Sequence, residues 1–329
     1  MTNTGEALGE FEAIAEFFAP LAGNGAPAFE LTDDAAVYTP PPGQALVLTK
    51  DAMVEGVHFL PTDPPDLVAR KLLRVNLSDL AAMGAEAVGY LQATAVRPAD
   101  AASWLKAFAR GLAEDQAIFG CRLWGGDTTS TPGPITLSLT AIGLTPPGAA
   151  LRRNGARLGD LIAVTGTIGD SALGLLARRG ELEGLGAAAL AYLKGRYLLP
   201  EPRLAVGKCL RGVAHAALDV SDGLVADMAH ICQTSGVGAQ IRLADIPLSP
   251  AARAAITHDP RRLADIFKGD DYELLFTIPP AKAAELHAIA AKTGVPITLI
   301  GEVVEGSAVR LFNADGSAFD AAGLGFTHF

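Results

Sequence analysis

The sequence predicts a two-domain protein of mixed α and β structure, α/β in class. Three observations carry that reading. The chain has 329 residues, more than one hydrophobic core organises, because single cores stop growing at roughly 250 to 300 residues. Apolar residues recur with helical spacing in some segments and as short β-rich runs in others, and neither period dominates. A turn-rich stretch from Thr145 to Gly155, with Pro146-Pro147-Gly148 in it, separates two such mixed halves. The boundary is expected near residue 150, giving domains over 1–150 and 151–329.

Each element has its own signal. Phe11, Ile14, Phe17, Phe18 and Leu21 fall on one helical face that stops at Gly23. Residues 45–49 read as a strand. A helix over 66–83 starts after Pro64-Pro65 and ends at Gly84. Strands are expected at 88–95 and 135–143, with a helix between them over 101–118 and Asp100 as its N-cap. In the second half, strands at 161–165, 216–220, 272–277, 297–300 and 307–312 alternate with helices at 170–178, 187–197, 203–211, 223–235 and 280–292.

Composition removes several classes of function. A formal net charge of −10 leaves no basic footprint for nucleic acid or for an anionic membrane surface. The 3 cysteines, Cys121, Cys209 and Cys232, match neither a zinc spacing nor a disulfide framework. The polar N-terminus lacks a signal-peptide pattern, and no apolar run reaches the ~18 residues of a membrane span. The expected location is the cytoplasm. There is no Walker A loop, since Gly207-Lys208 is followed by Cys209, and no Gly-x-Gly-x-x-Gly, nucleophile elbow or paired-histidine metal signature.

What remains conspicuous is aspartate, expected in short turns at the ends of elements. It occurs at Asp33-Asp34, Asp51, Asp79, Gly125-Gly126-Asp127-Thr128-Thr129, Asp219-Val220-Ser221-Asp222-Gly223 and Gly269-Asp270-Asp271-Tyr272-Glu273. Any one of these alone is an ordinary cap or turn residue. Asn76-Leu77-Ser78-Asp79 is different, because it interrupts an apolar helical run where packing favours hydrophobes. Something polar must meet that helix. Were these carboxylates to converge, each pair ~4 Å apart would repel by about 4 kcal/mol at an effective dielectric near 20. Such a cluster needs counter-cations, and oxygen donors without His or Cys select hard ions such as Mg²⁺. Phosphoryl transfer from a nucleotide is the chemistry that such a metal cluster serves.

Taken together, the motifs resemble the thiamine-monophosphate kinase family, within the superfamily named for aminoimidazole ribonucleotide synthetase. The likeness runs from about Phe11 to Phe329. Its most specific pieces are Val-Glu-Gly-Val-His-Phe over 54–59, Val-Asn-Leu-Ser-Asp-Leu-Ala-Ala-Met-Gly over 75–84, the Gly-Gly-Asp-Thr-Thr turn, Val220-Ser221-Asp222-Gly223-Leu224, Asp271-Tyr272-Glu273-Leu274 and the terminal His328-Phe329. The resemblance implies direct, in-line transfer from ATP to thiamine monophosphate with several Mg²⁺ ions and no phosphoenzyme. It implies metal ligands at Asp34, Thr49, Asp51, Asp79, Asp127, Asp219 and Asp222, and Lys50 joins them through its backbone carbonyl if the strand is regular, whereas a bulge would turn its ammonium inward in place of a cation. It implies ATP contacts at Gly126, Asp127, Arg153 and Ser221, and substrate contacts at His58, Asp270 and Phe326. The implied fold is a homodimer formed through the N-terminal sheet, with a C-terminal α/β domain closing over the cleft.

The chain departs from the family pattern at three places. Glu30-Leu31-Thr32 stands where Gly-Ile-Gly is usual, Lys50 where Thr is usual, and Asp270 where Glu is usual. Pleat alternation would put Leu46, Leu48 and Lys50 on one face of their strand and Val47, Thr49 and Asp51 on the other. Other readings of the aspartates are a different ATP-using synthetase of the superfamily, a metal-dependent phosphatase, or a non-catalytic nucleotide sensor. The selenophosphate and hydrogenase-maturation synthetases normally need an N-terminal or C-terminal Cys. Here the first Cys is Cys121 and the chain ends Thr327-His328-Phe329.

Overall fold

The computed structural model describes residues 10–99 and 101–319. The expected N-cap Asp100, the substrate candidate Phe326 and the terminal His328-Phe329 lie outside the described residues. The chain divides into two compact units, one built on residues up to Leu80 with Ala87–Leu144, the other on Ala81–Glu86 with the chain from Thr145 onward.

The first unit carries a four-stranded sheet in the order β1-β4-β2-β3, with β1 Ala45–Val54, β2 Glu86–Val96, β3 Arg122–Ser130 and β4 Thr136–Thr145. Burial along β1 alternates, with Val47 and Met53 inward and Leu46, Leu48, Lys50 and Ala52 exposed. The inward face of β1 meets helix Pro65–Ala82, which in turn packs on helix Ala101–Phe119. Arg74 grips the buried Asp115 through Nε and Nη2 at 2.6 and 2.9 Å, and Arg70 Nε adds a third bond at 2.9 Å. A carboxylate taking three charge-assisted bonds compensates for its burial and fixes the register of the two helices.

Three expectations are corrected here. The Gly-Gly-Asp-Thr-Thr segment is not a turn but the middle of β3, which pairs parallel to β2. Its two glycines hid a strand, since glycine is depleted from strand interiors. Gly126 is nevertheless required, because a Cβ there would lie 1.9 Å from the Gln92 carbonyl oxygen. Strand β1 continues to Val54, so Asp51 sits within a strand, and Asp79 sits within a helix rather than at an end. The first helix is not uniform: Glu10–Ala13 and Ala19–Ala22 are α-helical, while Ile14–Phe18 forms a π-turn.

The second unit is a seven-stranded sheet in the order β11-β10-β7-β9-β5-β8-β6. Its strands are β5 Leu161–Thr165, β6 Ala216–Asp219, β7 Gly238–Arg242, β8 Leu274–Ile278, β9 Ile297–Val304, β10 Val309–Phe312 and β11 Ala318–Phe319. Most pairs are antiparallel, and β10 with β7 is parallel. Both faces are covered. Ile162, Val164, Leu218 and Leu275 enter one core with helices Asp170–Arg179 and Leu224–Ser235, whereas Ala163, Ala217, Leu274 and Phe276 enter another with Val206, Leu210, Leu286 and Ile289. Strands buried on both faces read as continuous apolar runs, which is why β5, β6 and β8 were legible. Strand β7, with Gly238 and polar Gln240 and Arg242, and helix Pro250–His258 were not anticipated.

Among the described residues, no helix is long and apolar enough to cross a membrane.

Candidate functional site

The residues singled out in the sequence fall into three groups. In the first, the helix interruption at 76–79 meets the inward face of β1. Asn76 donates through Nδ2 to the Leu72 carbonyl at 2.9 Å and accepts the Asp51 N–H on Oδ1 at 3.1 Å, so one side chain ties helix to strand. Thr49 Oγ1 donates to Asp79 Oδ2 at 2.5 Å. Asp51 is pushed up to about 6 by burial, then by the charge of Asp79 and a hydrogen bond to it. Two carboxyl groups in contact cannot both remain ionised without a cation or a shared proton. This oxygen-only set fits a hard divalent ion. Lys50 turns the other way, its Nζ donating to Ser138 Oγ at 2.7 Å, while Ser138 Oγ donates to the Asp51 carbonyl.

His58 follows in the turn that closes β1. Its Nδ1 accepts the Val54 N–H at 3.0 Å. The neutral ring therefore carries its proton on Nε2, the tautomer suited to donating toward a phosphate.

The second group lines a cavity of ≈ 760 Å³ within the first unit. Asp33, Asp34, Gly126 and Asp127 share it with an apolar wall that includes Tyr38, Trp124, Leu46 and Leu48. The rings of Tyr38 and Trp124 lie 4.6 Å apart, centroid to centroid. Neither Thr49, Asp51 nor Asp79 lines this cavity. The approach to Asp34 is unusual. Phe29, Glu30 and Leu31 all have positive φ, at 50°, 61° and 59°. Left-handed backbone costs non-glycine residues roughly 1–2 kcal/mol each, and it occurs where the family pattern begins its Gly-Ile-Gly.

The third group belongs to the second unit. Asp219 is buried at the end of β6, and the turn after it is held by a residue the sequence reading missed. Asp227 Oδ2 accepts the N–H groups of Ser221, Asp222 and Gly223 at 2.9, 3.0 and 3.1 Å. Burial pushes the Asp227 carboxyl up to about 7 against the pull of those donors. Ligand atoms of Asp222, Asp227 and His230 lie within 4.8 Å of one another. The signal for Asp227 was an acidic residue in the first turn of the helix that follows Asp222-Gly223.

This turn is bonded to the one carrying Asp270. Val220 N–H donates to the Glu273 carbonyl at 2.8 Å, and Tyr272 N–H donates to the Val220 carbonyl at 2.9 Å. Ser171 Oγ donates to Asp270 Oδ1 at 2.5 Å. Arg153 is placed elsewhere. Its carbonyl and the N–H of Gly155 meet Ser235 Oγ, at the opposite end of helix Leu224–Ser235 from Ser221 and Asp222. That helix of 12 residues spans about 18 Å, so the Arg153 backbone and the Asp222 turn are not neighbours.

Two family models match the chain: AIR synthase related protein, N-terminal domain, over residues 32–145, and AIR synthase related protein, C-terminal domain, over 157–312. The thiamine-monophosphate kinase of Caulobacter vibrioides is 46% identical over 307 residues, which is 92% of this chain and 86% of that protein. The crystal structure of the thiamine-monophosphate kinase from Stenotrophomonas maltophilia superposes with a TM-score of 0.80 at 39% identity, covering 88% of this chain and 91% of that one. The structure of AaThiL complexed with AMPPCP and TMP superposes with a TM-score of 0.78 at 32% identity, covering 90% and 91%.

Proposed function

Because the chain belongs to the AIR synthase related family, among its thiamine-monophosphate kinases, we propose that it moves the terminal phosphoryl group of ATP onto the phosphate of thiamine monophosphate. The products are thiamine diphosphate and ADP. The observation that carries this reading is the contact between Asp51 and Asp79 beside Thr49, a donor set that calls for a hard cation next to phosphate.

Thr49, Asp51 and Asp79 would hold Mg²⁺ in the first unit, with Asp34 and Asp127 at the cavity and Asp219 and Asp222 in the second unit as further ligands. Lys50 would contribute only its carbonyl. When bound, the ions would offset the charge of the phosphates and of the transferring group. Gly126 lets a phosphate approach the β3 backbone, because it presents no side chain. The N–H groups of Ser221, Asp222 and Gly223 are committed to Asp227, so Ser221 would meet nucleotide through its hydroxyl. His58 Nε2–H and the Asp270 carboxylate would orient thiamine monophosphate, and Phe326 would be the aromatic contact. Arg153, on its exposed loop a helix length from the Ser221 turn, would meet the nucleotide only through its side chain and at a point apart from the one Ser221 contacts.

The chain would act as a homodimer in the cytoplasm. Leu46, Leu48 and Leu91 are 48%, 63% and 40% exposed on the sheet of the first unit, an apolar set suited to a second copy.

The deciding assay measures ADP formation with a panel of phosphorylated acceptors that includes thiamine monophosphate. We expect turnover with thiamine monophosphate and Mg²⁺. ADP release independent of any acceptor would replace the kinase reading with a phosphatase one. Asp79→Asn and Asp222→Asn should each lower turnover at least about 100-fold with the fold intact.

A further inference from the structure

Three carboxylates stand together at Asp270, Asp271 and Glu273, and only Asp270 has a place in the reading above. Glu273 is fully buried and takes four donors: Arg196 Nη2 at 2.9 Å, Arg203 Nε at 2.7 Å, Arg203 Nη2 at 2.5 Å and Thr165 Oγ1 at 2.7 Å. The chain turn at Gly166 presses on it, since a Cβ there would lie 2.1 Å from Glu273 Oε1. Asp271, also buried, accepts the N–H groups of Gly169 and Ser171 at 2.6 and 3.0 Å. Tyr272 lies between these two anchors with φ at 54°, a backbone state that persists only where its surroundings impose it.

The two turns bonded at Val220 are fastened differently. The Ser221–Gly223 turn is held by its own helix through Asp227. The Asp270–Tyr272 turn is held from outside itself, by Asp271 on the Gly169 and Ser171 N–H groups, by Ser171 Oγ on Asp270, by the Tyr272 N–H on the Val220 carbonyl, and by Glu273 in its arginine clamp. Glu273 is the anchor on the C-terminal side of this turn, and its release would loosen that side while the Ser221–Gly223 turn keeps its three bonds to Asp227.

We propose that Glu273 is a positioning residue: its carboxylate, clamped by Arg196 and Arg203, sets where Asp270 stands relative to the Ser221–Asp222 turn. The inference rests on the substrate role of Asp270 proposed above. A carboxylate in an Arg fork has a fixed direction as well as a charge, which a space-filling residue would not supply.

The test uses the full chain at saturating Mg²⁺. Glu273→Gln keeps shape and removes charge, and Arg203→Lys keeps charge and removes the fork. Each is also combined with Asp270→Asn. In both single variants, we expect the KM for thiamine monophosphate to rise at least fivefold, with the KM for ATP within twofold of wild type. Adding Asp270→Asn should raise the KM for thiamine monophosphate no further. A fall in kcat with both KM values unchanged, or effects that add to those of Asp270→Asn, would overturn the proposal and mark Glu273 as purely structural. Circular dichroism reports the folded fraction, and if Glu273→Gln does not fold, Arg203→Lys decides by the same criteria. Absence of wild-type turnover with thiamine monophosphate would instead strike the proposed function itself.

Discussion

Asp51 and Asp79, one on a strand and one on a helix, lie close enough that, after burial, the charge of Asp79 and a hydrogen bond to it help raise the Asp51 carboxyl from its ordinary 3.8 to about 6. A carboxyl whose folded-state pKa lies above its unfolded value binds more protons when folded. Its contribution to stability is thus present at low pH and is lost as pH rises from about 4 to about 6. Above that window the ionised pair should gain most from a divalent ion. We expect Mg²⁺ to raise the melting temperature more at pH 7.5 than at pH 5, and Asp51→Asn to flatten that difference. Equal Mg²⁺ shifts at the two pH values in the wild type would show that the pair does not bind the ion.

Lys50 bears on the same ion from the other side of the strand. Its ammonium is bonded to Ser138 on the outward face, and Thr49 and Asp51 point inward. We expect Lys50→Thr to leave the Mg²⁺ concentration for half-maximal activity within about threefold of wild type. A tenfold drop, worth about 1.4 kcal/mol, would mean that the ammonium competes with metal and that the strand turns it inward in solution.

Asp115 should matter for stability rather than chemistry. Asp115→Ala would leave Arg74 buried without the carboxylate that neutralises it, and breaking a buried pair in this way costs about 3–5 kcal/mol. Chemical denaturation should show that loss. A change below about 1 kcal/mol would mean that the helix pair is held by apolar packing alone.

Gly125 and Gly126 make a matched comparison. A Cβ at Gly126 meets the Gln92 backbone oxygen at 1.9 Å, whereas one at Gly125 meets the movable end of Leu91 at 3.3 Å. Gly126→Ala should shift β3 from β2, destabilise by about 1–3 kcal/mol and weaken ATP binding. Gly125→Ala should do little to either. Similar melting temperatures for the two variants would refute the close approach.

Much of this protein is decided by local chemistry. The helix over 65–82, strands β5, β6 and β8 of the second sheet and the pairing of Thr49 with Asp51 on one face follow from periodicity, from Pro and Gly punctuation, and from apolar runs that only a doubly covered sheet buries. The polar break at Asn76 to Asp79 also announced that the helix meets something other than hydrophobic core. What sequence could not reach depends on residues far apart in the chain. Asp115 is buried because Arg70 and Arg74 of another helix reach it. Asp227 binds the turn before its own helix, and Glu273 is satisfied by Thr165, Arg196 and Arg203. A charged side chain becomes tolerable inside a protein only when its partners arrive from elsewhere, and nothing in the neighbouring sequence states that they will. Strand β3 was hidden because Gly125 and Gly126 read as a turn, and only their pairing with Leu91 and Gln92 of β2, far back in the chain, makes them strand.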